Sequence, residues 1–153
     1  MTAIIIFAAN YLYWIIITSA LIACLLAKKT IRVSILRLTI LAVPLAFLIG
    51  KIFNHTYYNS RPFVIEHIQP LIPHTADNGF PSDHTLLTMT IAGIIFIYHK
   101  RLGGLLAILA LVVGIARILA KVHHPIDILG AIAIAMLTIY LSLYILKRIK
   151  VIV

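Results

Sequence analysis

Long apolar segments alternate with short polar ones along the chain of 153 residues. Five of these segments are about as long and as apolar as a helix that crosses a bilayer. They span residues 4–27, 35–53, 82–98, 102–120 and 128–146. The pattern predicts an all-α fold, a polytopic transmembrane bundle of about five spanning helices that forms one integral-membrane domain over residues 1–153.

The connections between these segments carry their own signals. Residues 54–80 form a long polar connection, and its middle part, 63–72, is mixed enough in polarity to predict a short interfacial helix. Pro44 interrupts the second apolar segment and can kink it. The pair Gly103-Gly104 predicts a tight connection in front of the fourth segment.

The composition supports a membrane protein. Hydrophobic residues make up 63% of the chain and charged residues 11%, against about 25% charged residues in soluble domains. Basic loops on the cytoplasmic side of a membrane explain the net charge of +9 better than a nucleic-acid surface does.

Cys24 is the single cysteine, so neither a disulfide framework nor a thiolate metal site is expected. The N-terminus lacks a basic region and a cleavage signature, which favours a retained first helix over a signal peptide.

The distribution of charge predicts the orientation of the bundle. With five spans, one side of the membrane holds nine of the thirteen basic residues and no acidic residue. These nine are Lys28, Lys29, Arg32, Arg37, Lys100, Arg101, Lys147, Arg148 and Lys150. The positive-inside rule assigns this side to the cytoplasm, with the N-terminus outside and the C-terminus inside. The other side holds all four acidic residues and six of the seven histidines, which is the composition of a site rather than of a solvated face.

His123 and Asp127 are four residues apart where the fifth helix begins. Pro125 fits the first position of that helix, so Asp127 falls in the first turn and can reach back to the imidazole. A histidine held by a carboxylate has a fixed tautomer, and its other ring nitrogen is free to act as a base or nucleophile. The alternative is that Asp127 only complements the helix dipole and His123 is an interfacial histidine.

The stretch 79–85 places a proline, a hydroxyl, a carboxylate and an imidazole between apolar segments. Ser82 is predicted to be the N-cap of the third spanning helix, with His84 in its first turn. The free N–H groups and the positive end of the dipole at such a position favour an anion. Capping alone would also explain Ser82.

Further positive charges fall on the same side of the membrane. Arg61 and Arg117 supply guanidinium groups, which match phosphate oxygens bidentately. Lys51 can add a point charge, although simple snorkelling would also explain its position. A zinc site is disfavoured because the arginines would crowd a cation and no zincin spacing occurs. No spacing argument assigns a role to the remaining side chains in this region, His55, His67, His74, His124 and Lys121.

Together these residues resemble the type 2 phosphatidic acid phosphatase superfamily of membrane lipid phosphatases. That family carries Lys-x6-Arg-Pro, then Pro-Ser-Gly-His, then Ser-Arg-x5-His-x3-Asp. Here the third motif is formed by Arg117, His123 and Asp127, with Ala116 in place of the serine. The resemblance covers residues 51–127.

The first two motifs are present in altered form. The second reads PSDH at 81–84, with Asp83 in the glycine position. The first keeps Arg61-Pro62, but Asn54 occupies the lysine position and Lys51 lies one helical turn earlier. The variant GFPSDHT, after an Arg-Pro-Phe, is similar to the bacitracin-resistance-type undecaprenyl-diphosphatases. That family has six spans, so the expected difference is one N-terminal helix.

The resemblance implies hydrolysis through a phosphohistidine, without metal or cofactor. His123 is implied to be the nucleophile, Asp127 the residue that orients it, and His84 the acid and base. The residues implied to hold the phosphate are Arg61, Ser82, Arg117 and Lys51.

The implied reaction converts undecaprenyl diphosphate to undecaprenyl phosphate at the outer face of the bacterial cytoplasmic membrane. This places the protein in peptidoglycan precursor recycling and bacitracin resistance, with lipid phosphates and membrane lipids as partners. A phosphatidate or phosphatidylglycerol-phosphate phosphatase fits the same residues. A lipid-phosphate binding or flipping protein is the non-enzymatic alternative, and a haloperoxidase is disfavoured in so small a membrane chain.

Overall fold

A computed structural model describes residues 1–149, and within this range the chain forms α-helices and no β-strand. The helices are α1 (Thr2–Asn10), α2 (Leu12–Leu26), α3 (Lys29–Thr56), α4 (Pro62–Ile65), α5 (Asp83–Tyr98), α6 (Lys100–Leu119) and α7 (Pro125–Arg148). The all-α prediction is confirmed. An isolated bridge between Ser60 and Asn78 ties together the two ends of the polar connection between α3 and α5.

Helices suited to a membrane account for most of the described chain. α3, α6 and α7 are each long and apolar enough to cross a bilayer. α1 and α2 meet the same criteria when they are taken together as one bent span. α5 is apolar but has 16 residues, or about 24 Å of helix, against a hydrocarbon thickness of about 30 Å. Each predicted span thus corresponds to a helix or a helix pair. The orientation stays a prediction, and Lys150, one of the nine basic residues behind it, lies outside the described residues.

The first span is broken rather than continuous, which corrects the prediction of one helix over residues 4–27. Tyr11 leaves the helical conformation with φ −126°, and α1 bends away from α2 by 44°. The small residues Ala8 and Ala9 of α1 pack in one cluster with Ala116 of α6 and with Ala120, the residue directly after α6. Because small side chains let helices approach closely, the bend allows α1 to cover α6 while α2 packs against α5.

α5 lies at the centre of the bundle, in contact with α2, α3, α6 and α7. Its threonine side chains are buried, and the hydroxyls of Thr88 and Thr90 donate to the carbonyls of His84 and Leu86 at 2.7 Å. These polar groups are satisfied within the helix and can therefore lie in an apolar core. The central position of α5 brings the stretch 79–85 to one end of the bundle interior.

Other element boundaries differ from the prediction by a few residues. α3 begins at Lys29 and runs through Pro44 to Thr56, because its polar first and last turns are helical as well. The interfacial helix expected over 63–72 is the single-turn α4. His67 adopts a positive φ of 54° directly after that turn, which ends the helical conformation.

Gly103 and Gly104 lie inside α6 instead of forming the predicted connection, which is made by His99 alone between α5 and α6. A Cβ atom on Gly103 would overlap the backbone of Phe96 in α5. A Cβ atom on Gly104 would be 3.8 Å from the Phe96 ring, an ordinary contact. The close packing of α5 on α6 therefore requires a glycine at position 103. At position 104 a larger residue would fit as well.

This difference predicts opposite effects of the same substitution. Gly103→Ala is expected to destabilise the protein by about 1–3 kcal/mol, the usual cost of overpacking a rigid contact. Gly104→Ala is expected to be neutral or stabilising by up to about 1 kcal/mol, because alanine favours the helix over glycine. Thermal unfolding in detergent measures both. Equal midpoints for the two variants would contradict the close contact at Gly103.

Candidate active site

A cavity of about 520 Å³ opens at the end of the bundle where α3 ends and α5 and α7 begin. Among the predicted site residues, the cavity is lined by Lys51, Arg61, His84, Arg117 and His123. Ser82 and Asp127 do not line it, and both are fully buried. The fold thus brings together residues that are up to 76 positions apart in the sequence.

The predicted pairing of His123 and Asp127 is present. Pro125 is the first residue of α7, and Asp127 lies in its first turn with Oδ2 3.3 Å from His123 Nδ1. The backbone N–H of His124 also donates to Oδ2, at 2.8 Å. Because an ionised carboxylate only accepts hydrogen bonds, this contact assigns the proton to Nδ1 and leaves a lone pair on Nε2.

Arg61 lies next to the unprotonated nitrogen of His123. Its Nη1 atom donates to the Val122 carbonyl at 2.8 Å and is 3.4 Å from His123 Nε2. Its Nε atom donates to Asp77 Oδ1 at 2.7 Å. Burial opposes ionisation of Asp77, but the hydrogen bonds from Arg61 and Thr75 together with the charge of Arg61 outweigh it, so the pKa of Asp77 is lowered. The guanidinium is therefore fixed from two sides, 5% exposed, with Nη1 directed at the imidazole.

Arg117 brings a second guanidinium to the cavity from the last turn of α6. It is 3% exposed, and its buried Nε–H has no hydrogen-bond partner among residues 1–149. A buried charged donor without a partner is costly unless a ligand satisfies it. Together with Arg61, this group makes the cavity suited to an anion with several oxygens.

The start of α5 forms another wall of the cavity. Ser82 occupies the N-cap position, as predicted, but its hydroxyl makes no capping hydrogen bond and instead accepts one from Thr85 at 3.3 Å. The N–H of Ser82 donates to the Asp127 carbonyl at 3.2 Å, which joins the start of α5 to the start of α7. His84 follows in the first turn, and its ring packs edge-on against Tyr13 of α2 at 4.9 Å.

A sequence profile of the PAP2 superfamily matches residues 35–150, which include every residue of this site except Tyr13. The chain belongs to the PAP2 superfamily. It is 33% identical over 133 residues to the bacitracin transport permease protein BcrC of Bacillus licheniformis, covering 86% of the chain and 65% of that protein. It is 36% identical over 92 residues to the undecaprenyl-diphosphatase BcrC of Bacillus subtilis, covering 58% of the chain and 48% of that protein. The matches thus span about half to two thirds of the length of these curated relatives.

A solved structure shows a similar arrangement of helices. The crystal structure of Aquifex aeolicus LpxE superposes with a TM-score of 0.72, covering 93% of this chain and 86% of that one. The sequence identity is 23%, so the likeness establishes the shared fold.

The structure shows the contacts of the residues that differ from the PAP2 motifs. Ala116, at the serine position of the third motif, is buried in the small-residue contact with α1 rather than in the cavity. Asn54, at the lysine position of the first motif, donates to the Phe80 carbonyl at 2.7 Å and thereby fastens the loop before α5. Lys51 has an exposed side chain one turn earlier and lines the cavity. Lys51 thus brings a positive charge from α3 to the cavity.

Sequence reasoning missed several residues of this PAP2 site. His74 received no role, but its ring lines the cavity with its centroid 6.0 Å from that of His123. Burial, together with the charges of Arg61 and Arg117, lowers the pKa of His74 to about 4. Asn59 and Asn78 form hydrogen bonds that hold the motifs together. No periodicity or motif spacing indicates these residues, because their partners are distant in sequence.

The remaining side chains without a predicted role lie outside the cavity. Lys121 forms an exposed salt bridge with Glu66 at 3.0 Å. His124 contacts the Ser60 carbonyl through Nε2 at 3.0 Å. His55 and His67 are exposed. In the part of the chain that the structure describes, no group of three or more His, Cys, Asp or Glu side chains is placed to hold a metal ion.

The environment of His123 predicts the pH dependence of any reaction that uses its lone pair. Burial lowers the pKa of His123, and the charges of Arg117 and Arg61 act in the same direction against the hydrogen bond with Asp127. The neutral imidazole therefore persists below the ordinary pKa of about 6.5. We expect kcat/KM for phosphate release to stay constant as pH falls through 6.5 and to decline only below it. Enzyme held at each pH and assayed at neutral pH controls for unfolding, and an acidic limb at or above pH 6.5 would contradict the expectation.

Proposed function

We propose that this protein is a membrane lipid phosphatase that removes the terminal phosphate of a lipid diphosphate, most directly undecaprenyl diphosphate, to give undecaprenyl phosphate. The observation that carries the proposal is the unprotonated Nε2 of His123, whose ring is oriented by Asp127 and which lies beside Arg61, with Arg117 in the same cavity. A nucleophile beside preorganised cations is the combination that phosphoryl transfer requires.

The proposed first step is an in-line attack of His123 Nε2 on the terminal phosphorus. The new P–N bond forms while the bond from phosphorus to the bridging oxygen breaks, and the lipid monophosphate leaves with that oxygen. Arg61 and Arg117 bind the peripheral oxygens, on which the charge of the transition state is spread. Lys51 adds a further positive charge at the cavity wall. The hydroxyl of Ser82, which is buried and does not line the cavity, is the remaining proposed donor. Asp127 stabilises the cationic imidazole that results.

The second step returns the enzyme to its starting state. A water molecule attacks the phosphorus of the phosphohistidine, the P–N bond breaks, and its electron pair returns to His123 Nε2. His84, which lines the same cavity, gives a proton to the leaving oxygen in the first step and takes one from water in the second. The products are inorganic phosphate and the lipid monophosphate.

The two arginines next to the imidazoles also support a reaction that needs no metal ion. Positively charged groups repel a divalent cation, and they supply the charge stabilisation that a cation would otherwise give. We therefore expect activity in the presence of EDTA.

The lipid and the side of the membrane are supported by different observations. The similarity to the undecaprenyl-diphosphatase BcrC of Bacillus subtilis favours undecaprenyl diphosphate, whereas the same cavity would accept phosphatidate or phosphatidylglycerol phosphate. The charge asymmetry of the loops favours a cavity that faces the extracytoplasmic side of a bacterial cytoplasmic membrane. A binding or flipping protein would use the arginines, but it has no use for the oriented imidazole.

Phosphate release from purified protein in detergent tests the proposal. Undecaprenyl diphosphate, phosphatidate and phosphatidylglycerol phosphate are offered separately, each with and without EDTA. Preference for the diphosphate, unchanged by EDTA, is the expected result. Preference for a glycerolipid would keep the chemistry and change the substrate, and release from none of them would favour the binding or flipping alternative.

A further inference from the structure

The two carboxylate oxygens of Asp127 have different partners. Oδ2 faces His123 and the backbone N–H of His124. Oδ1 accepts a hydrogen bond of 2.7 Å from the side-chain amide of Asn59. We propose that Asn59 is a positioning residue that orients Asp127 and, through it, the nucleophilic imidazole of His123. This inference rests on the phosphatase function proposed above.

The backbone of Asn59 is itself held on both sides. Its N–H donates to Asn78 Oδ1 at 2.9 Å, and its carbonyl accepts from the N–H of Gly79 at 2.9 Å. A Cβ atom on Gly79 would come within 3.0 Å of Asp127 Oδ2 and 3.2 Å of the Asn59 carbonyl. The glycine therefore lets this loop approach closely enough to fix Asn59 against the carboxylate.

An amide suits this position because it is a neutral donor. It satisfies one oxygen of a carboxylate that has no exposed surface, and an unsatisfied acceptor there would be costly. A cationic donor would compete with His123 for the negative charge of Asp127. The amide leaves that charge available when His123 becomes cationic on phosphorylation. Asn59 does not line the cavity, so it acts through Asp127 and not on the substrate.

Asn59→Ala removes the donor and is expected to lower kcat by about tenfold or more, the usual effect of losing a partner behind a catalytic group. KM is expected to stay within about twofold, because the phosphate contacts are made by other residues. A rise in KM with kcat unchanged would overturn the proposal.

Asn59→Asp gives a response that loss of packing would not produce. At high pH two carboxylates face each other without a shared proton, so Asp127 loses its donor and is repelled. As pH falls, one proton binds between them and the donation is restored. The activity of this variant relative to the wild type should therefore rise as pH falls, whereas that of Asn59→Ala should stay level. The other charged or titratable groups near the pair are His74, Asp77, Arg61, His123 and His124, with Asp83 and Arg117 in the same cavity.

Asn54→Ala is the matched control. It removes one amide hydrogen bond, to the Phe80 carbonyl, at the same junction without contact to Asp127. The activity of Asn54→Ala relative to that of the wild type is expected to be independent of pH. The inference would be overturned if the relative activity of Asn59→Asp did not rise at low pH. It would also be overturned if the relative activity of Asn54→Ala rose equally.

A measurement without turnover separates this inference from the proposed function. In protein with 15N-labelled histidine, the Nδ1–H signal of His123, assigned with His123→Ala, reports its bond to Asp127. We expect this signal to shift or broaden in Asn59→Ala and to persist in Asn54→Ala. An unchanged signal in Asn59→Ala would overturn the positioning role even if the wild type released no phosphate from any lipid.

Discussion

His123→Ala should abolish phosphate release and prevent the formation of any phosphorylated enzyme. In the proposed mechanism the imidazole supplies the lone pair that attacks phosphorus, so its removal leaves no nucleophile at that position. Loss of a nucleophile of this kind lowers kcat by about 10⁴-fold or more. Rapid acid-free quenching with a 32P-labelled lipid diphosphate measures the covalent species directly.

His55→Ala serves as the control for this experiment. His55 is exposed in the last turn of α3, at the same end of the bundle but outside the cavity. It should keep both turnover and the labelled intermediate. Labelling that persists in His123→Ala would assign the nucleophile to another residue, and His84 would be the next to test.

Arg117→Lys should lower kcat/KM by about 100-fold, or about 2.7 kcal/mol of transition-state stabilisation. Lysine keeps the positive charge, but it lacks the planar pair of donors that arginine offers to two phosphate oxygens. The buried Nε–H of Arg117 has no hydrogen-bond partner within residues 1–149, as expected of a side chain that binds a ligand. Steady-state kinetics on the preferred lipid measures the effect.

Arg101→Lys makes the same chemical change at an exposed position at the other end of the bundle. This variant should retain the kinetics of the wild type. Wild-type kinetics for Arg117→Lys would show that charge alone suffices at this position. In that case the bidentate role would belong to Arg61.

The parts of the site that sequence alone predicts are local ones. His123 and Asp127 are one helical turn apart, and Pro125 marks where that turn begins, so their contact follows from helix geometry. Arg61 and Arg117 are identified by their place next to apolar segments, where a charge needs a partner. The spacing of polar residues therefore predicts a phosphate site, and the fold brings its two arginines and His123 to one cavity.

The parts that could not be predicted depend on contacts between distant residues. Asn59 and Asp127 are 68 positions apart, and nothing in the sequence around Asn59 indicates its partner. The bend at Tyr11 follows from close packing of α1 on α6. The role of Gly103 depends on where the Phe96 backbone lies. Such features depend on how the helices pack against one another. The hydrophobic pattern of the sequence does not specify this packing.

The central position of α5 also has a consequence for how the protein enters the membrane. A helix of 16 residues with several threonines is a weak signal for insertion by itself. It is joined to α6 through His99 alone, and its close fit at Gly103 requires the two helices to lie side by side. We expect the translocation machinery to receive α5 and α6 as a helical hairpin. The more apolar α6 would then help to insert α5, whose first turn lines the cavity.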